Sequence, residues 1–152
     1  MTEFIREPER KRAIAAHILN GLPEWFGIPE STANYVEQSA RFPFWAHGEG
    51  GAYDGFIVLR ETSPYAAEIY VMGVRAERHR QGIGRELFLA LYEYAKAHGY
   101  EYLQVKTVDE GCYEDYDRTR RFYESMGFRK LEVFPTLWDA HNPCLVMVMG
   151  IK

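Results

Sequence analysis

Cysteine is scarce. The chain of 152 residues holds two, Cys112 and Cys144, far apart and with no CxxC pair or Cys/His run beside them. That argues against a disulfide scaffold and a zinc module, and the expectation is no metal and a reducing, cytoplasmic setting. Long apolar runs are missing too; none approaches the roughly 18 residues of a membrane helix. The opening MTEFIREPERKR lacks the apolar stretch of a signal peptide. Positive charge is not in excess: 18 Lys and Arg stand against 22 Asp and Glu, for a net charge of −4. General binding to nucleic acid or an anionic membrane is therefore disfavoured. No internal repeat or low-complexity segment interrupts the chain.

What is present is ordinary for a globular protein: 47% hydrophobic, 26% charged and 15% aromatic residues. The length implies one domain over residues 1–152, burying roughly 70% of its extended-chain surface. Pro8 and Glu9 start a helix that carries Ile14 and Ile18 and closes at Asn20-Gly21. An apolar loop, Leu22 to Ile28, leads to a second helix from Pro29 to about Ala40. Phe44–Ala46 and Phe56–Leu59 read as strands joined by a turn at Gly48, Gly50 and Gly51. Glu68 to Val74 is a strand in which Gly73 marks a bulge or a close backbone approach. A long helix runs from about Gly82 to His98, its stripe formed by Ile83, Leu87, Phe88, Leu91 and Ala95. A strand at Tyr102–Val105, a short helix from Arg118 to Met126 and strands at Phe128–Phe134 and Leu145–Met149 complete the chain. The pattern is an α/β layer fold, a mixed sheet covered by helices.

The segment between the bulged strand and the long helix is the most informative. It reads His79-Arg80-Gln81-Gly82-Ile83-Gly84-Arg85. Free amides and the positive end of a helix dipole form an anion site, and glycines let the anion approach. Arg75, Arg78, Arg80 and Arg85 add charge around it. A dinucleotide fingerprint would need glycine where Leu87 stands, and a Walker A loop would need Gly-Lys-Ser/Thr.

The segment instead resembles the acyl-CoA pyrophosphate loop of the GNAT family of N-acetyltransferases, Gln/Arg-x-x-Gly-x-Gly/Ala, with His79 at the first position. Thr119-Arg120-Arg121-Phe122-Tyr123-Glu124 followed by Gly127-Phe128 is similar to the family's second signature. Glu68 to Val74 looks like its bulged fourth strand, and the element order from Phe44 to Met149 fits. The resemblance implies a mostly antiparallel twisted sheet of six to seven strands flanked by about four helices. It implies acetyl-CoA as co-substrate, with pantetheine between two splayed strands and an amine attacking the thioester directly. Backbone groups of Met72 and Val74 would meet the pantetheine, and the amides of Arg80 to Arg85 the pyrophosphate.

The resemblance also implies roles. Tyr123 matches the residue that protonates the leaving thiolate; a phenol of pKa near 10 is protonated at neutral pH. Glu68 matches the general base of one branch of the family, with water as the alternative. The family's cofactor-binding Asn falls on Tyr116, so Arg118 or Tyr116 would substitute. Trp25, Phe26 and Trp138 lie in loops where the family builds its acceptor pocket, and each reads as packing or as acceptor contact. Cys112 reads as a plain small residue, and His141 as structural. Asp109, Glu110, Glu114, Asp115 and Asp117 form a run without a base. That run is a solvated loop and helix N-cap, or a rim for a cationic amine. The expected partner is a small-molecule or peptide amine, and the protein a monomer or homodimer. A non-catalytic acyl-CoA sensor and an aromatic-loop interaction protein are the competing readings.

Overall fold

The computed structural model describes the chain except for residues 110–112 and 140. The expectations for Glu110 and Cys112 therefore lie outside the described residues. Seven strands form one sheet in the order β1-β2-β3-β4-β5-β7-β6. They are β1 (Thr2–Ile5), β2 (Phe44–Glu49), β3 (Ala52–Ser63), β4 (Ala66–Val74), β5 (Tyr102–Val108), β6 (Arg129–Asp139) and β7 (Asn142–Gly150). The helices are α1 (Pro8–Leu19), α2 (Pro29–Ser39), α3 (Ile83–Ala97) and α4 (Glu114–Met126), with a 3-10 turn at Ala76–Arg78. This is the mixed, mostly antiparallel architecture expected.

Local chemistry accounts for the boundaries. Pro8 and Pro29 occupy first-turn positions, where the missing N–H costs nothing. Gly50 and Gly51, both at positive φ (59° and 84°), close the β2–β3 hairpin, a conformation that favours glycine. Helix α4 begins at Glu114, not Arg118. Its first turn holds Glu114, Asp115 and Asp117, and acids there complement the positive dipole end. Strand β1 was not foreseen, because four residues give too short a pattern to stand out from a loop.

The sheet divides the core into two layers. Under α3 and α4 lie Ile57, Ile69, Leu87, Leu91, Leu103, Val105, Phe128 and Met147. Under α1 and α2 lie Ile14, Ile18, Phe44, Phe56, Val58 and Val71.

Two features of β4 prepare the site. The register between β3 and β4 shifts between Val58 and Leu59, which pair with Val71 and Ile69, so Tyr70 is the extra, bulged residue. The bulge thus precedes Gly73. That glycine serves close packing: a Cβ there would lie 3.2 Å from Ile18 and from Leu22 on the α1 side. Second, β4 and β5, the sheet's parallel pair, are joined only from Ala66–Tyr102 to Ile69–Val105. Beyond that rung the strands part.

Phe56 is fully buried, and its ring stacks on Phe44 at 5.2 Å. Phe56→Ala should cost about 3–5 kcal/mol of stability, measured by chemical denaturation. A loss under 1 kcal/mol would show that this layer relaxes around the void.

Candidate active site

The parting strands leave 70–74 of β4 and 106–108 of β5 without each other as ladder partners. The turn above them is shaped for an anion. Arg80 has φ 64° and Gly82 φ 80°, and α3 starts directly afterwards at Ile83. Left-handed residues before a helix N-terminus turn successive amides to one side, a concavity that holds anions. His79, Arg80, Gln81, Gly82 and Arg85 are exposed there, while Ile83 is buried as an anchor. Gly84 is needed for space: its Cβ would meet the Phe122 ring at 3.2 Å and Met72 at 3.6 Å. Met72 and α4 are thereby brought to the same spot as the turn.

The turn is braced from behind. Asp54 accepts from Arg78 Nε at 3.2 Å and lies 2.7 Å from His47 Nδ1, while its backbone carbonyl accepts from the Arg75 amide at 2.8 Å. A groove of about 690 Å³ runs alongside, walled by Arg10, Ile14, His17, Tyr53 and Arg75. It borders the turn and not the fork. His79 donates from Nε2 to the Val74 carbonyl at 2.7 Å. The carbonyl expected to meet pantetheine is thus already held by the turn's own histidine.

The loop 22–28 reaches over to α4. Trp25 Nε1 donates to Thr119 Oγ1 at 3.2 Å, and the Tyr116 hydroxyl donates to the Trp25 carbonyl at 2.9 Å. Trp25 also meets the His79 ring edge-on at 5.8 Å. Trp25 therefore joins α4 to the anion turn. Phe26 packs edge-on against Tyr35 of α2. Trp138 sits on the edge strand β6, 41% exposed. Arg118 is paired with Asp115 on its own helix, and Glu114 is exposed in the first turn. The acidic run thus belongs in part to the start of α4. Tyr116, at the family's Asn position, has its hydroxyl on the loop carbonyl, and burial pushes its phenol up to about 12.

Tyr123 is buried among Phe122 and Phe128, in the cluster that includes Val105 of the last rung. Burial raises its phenol well above the ordinary value, with Tyr116 and Tyr35 adding to the shift. Its proton is therefore firmly held. Glu68 lies beside the last rung with both oxygens engaged: Arg60 Nη2 reaches them at 3.2 and 3.3 Å, and Lys106 Nζ donates to Oε2 at 3.0 Å. The candidate base is a buried carboxylate between two cations. Arg60, Lys106, Tyr35 and Tyr70 were not foreseen. Arg60 becomes visible only once the register across the bulge is known, and Lys106 because it follows Val105 at the end of the rungs.

An acyl-CoA fits these residues. The amides of the turn and the exposed Arg80 and Arg85 would suit its phosphates, and the parted strands would offer backbone groups to its amides. On β5, beyond the last rung, the buried Thr107 hydroxyl has no hydrogen-bond partner among the described residues. A buried hydroxyl left unpaired costs about 1–3 kcal/mol, which a polar ligand group recovers. Thr107→Val should therefore leave the ligand-free protein at least as stable while weakening CoA about three- to tenfold, read by calorimetry. A fall in stability with unchanged CoA affinity would contradict that placement.

The Acetyltransferase (GNAT) family model matches residues 6–128. The Bacillus subtilis (strain 168) protein "Uncharacterized N-acetyltransferase YsnE" is 32% identical over 117 residues, spanning 75% of this chain and 76% of that one. Among solved structures, an aminoglycoside 6'-N-acetyltransferase complexed with coenzyme A superposes with a TM-score of 0.75 at 17% identity, covering 100% of this chain and 97% of its own. The ribosomal-protein-S18-alanine N-acetyltransferase from Escherichia coli superposes at 0.76 with 19% identity, covering 100% and 95%. The anion turn, the parted strands and these likenesses agree: the chain belongs to the GNAT family of acetyltransferases.

Proposed function

We propose that the protein moves the acetyl group of acetyl-CoA to a primary amine by direct attack at the fork between β4 and β5. The observation that carries this reading is the end of the β4–β5 ladder at Ile69–Val105, beside a left-handed turn at the start of α3. A neutral amine forms the new C–N bond at the thioester carbon, and the C–S bond breaks. Tyr123 gives its phenol proton to the departing thiolate and regains one from solvent. The amine's own surplus proton leaves through water. Glu68 was the other candidate base, but the cations on both of its oxygens support a role in holding Arg60 and Lys106. The amides of Arg80 to Arg85 hold the pyrophosphate, and Met72 and Val74 flank the pantetheine, His79 yielding or sharing the Val74 carbonyl. The cytoplasmic setting expected from the cysteine count belongs to the same reading.

Acid catalysis of this kind is worth about 10²–10⁴ in rate. Tyr123→Phe should lower kcat at least about a hundredfold with CoA affinity within about twofold of the parent. Thiol release from acetyl-CoA with an amine panel and calorimetry with CoA measure the two halves. Unchanged kcat would remove Tyr123 from the mechanism. CoA binding without thiol release from any amine would favour a sensor.

A further inference from the structure

This inference rests on the acetyl-transfer reading and concerns which amine is accepted. The strongest charge feature by the fork is the Arg60–Glu68–Lys106 cluster. Two cations share one carboxylate, so the cluster carries a net charge of about +1. Its members differ in access: the Glu68 side chain is 5% exposed, Lys106 28% and Arg60 39%. A ligand at this surface meets the cations and not the carboxylate. Arg60 commits Nη2 to Glu68, which leaves its Nε and Nη1 donors, and its guanidinium lies over the Tyr70 ring at 4.8 Å. Stacking of that kind fixes the plane of an arginine for two-point recognition of a carboxylate or phosphate.

Position supports the same role. Glu68 precedes, and Lys106 follows, the last rung Ile69–Val105. Tyr70, the bulged residue, is two positions from Glu68, about 7 Å along the strand. Tyr35 of α2 lies over the sheet here, its ring 5.4 Å from Tyr70 and its phenol within the fields of both Glu68 and Arg60. Tyr35 also acts electrostatically on Tyr116 and Tyr123. Tyr35 and Tyr70 thus give the surface beside the cluster an aromatic wall. Of the α4 acids, Glu114, Asp115 and Asp117 sit in the first turn, and Asp115 is paired with Arg118.

We propose that the acceptor is an amine that also carries an anionic group, of the free amino acid class, with Arg60 and Lys106 holding the anion and the tyrosine lining covering the apolar part. The amine then points toward the fork, beyond the last rung. A polyamine or aminoglycoside brings like charge to the same cations and is disfavoured.

Matched pairs separate the anion from everything else: phenylalanine, leucine and glutamate against their α-amides, with 2-aminoethylphosphonate, spermidine and kanamycin as further arms. Thiol release is compared as kcat/KM per neutral amine. The expected result is at least a tenfold preference for an anionic member over its amide; the phosphonate arm tells whether a carboxylate is required. Lys106→Met should cut that preference by raising KM for the anionic amine more than it lowers kcat, and Lys106→Arg should restore it in part. If Lys106→Met does not fold, Arg60→Gln, with its more exposed head, reads the same ratio. Preference for an amide, spermidine or kanamycin overturns the proposal and leaves acetyl transfer standing. A substitution that lowers the melting temperature with the ratio unchanged makes the cluster a brace only, and overturns it as well. Release with none of these amines, despite CoA binding, defeats the acetyl-transfer reading itself.

Discussion

The loss of pairing between β4 and β5 after Ile69–Val105 is the constraint on which the rest of the structure depends. A parallel pair inside a sheet normally continues its ladder, because unpaired buried backbone is costly. Here the bulge adds Tyr70 to β4 in its ladder with β3, directly after the last rung that β4 shares with β5. The β4–β5 ladder ends there, and the buried Thr107 hydroxyl just beyond it has no partner among the described residues. A long, narrow molecule with alternating polar and apolar parts answers that need, and the pantetheine arm of acetyl-CoA is such a molecule.

Each neighbouring feature secures this opening from a different side. Asp54 holds the anion turn against β3 through Arg78 and the Arg75 amide. Gly84 lets α4 press close through Phe122, which brings Tyr123 to the cluster beneath the fork. Trp25 ties the loop after α1 to both α4 and His79. Glu68, with its two cations, spans the last rung. Burying that carboxylate is costly, and a buried ion pair rarely repays its desolvation in stability alone. Half-exposed cations held in place by a buried acid are better explained by something they recognise.

Much of the fold was legible because it is written locally. Pro8, Pro29, Gly99 and Gly127 punctuate helices in the usual way, and the Ile83–Ala95 stripe could belong only to a long amphipathic helix. The anion turn was legible for the same reason: Gly82 and Gly84 stand beside arginines at a strand-to-helix junction. What escaped is written between strands. Gly73 left a bulge and a close approach both open; the close approach is what it serves, against Ile18 and Leu22, while the bulge falls at Tyr70, because a register shift depends on which residues face each other. Arg60 and Lys106 fall just past the strands expected at Phe56–Leu59 and Tyr102–Val105, and only the longer β3 and β5 set both against Glu68. The start of α4 was missed because its acids read as a loop, although they favour a helix N-terminus.

Amide hydrogen exchange, with and without CoA, probes the fork most directly. Protection on adding CoA is expected at 70–74 of β4, at 106–108 of β5 and at 80–85 of the anion turn, with the β6–β7 hairpin unchanged. Protection centred on the groove beside Arg10 and His17, with the fork amides unaffected, would contradict the fork as the acyl-CoA site.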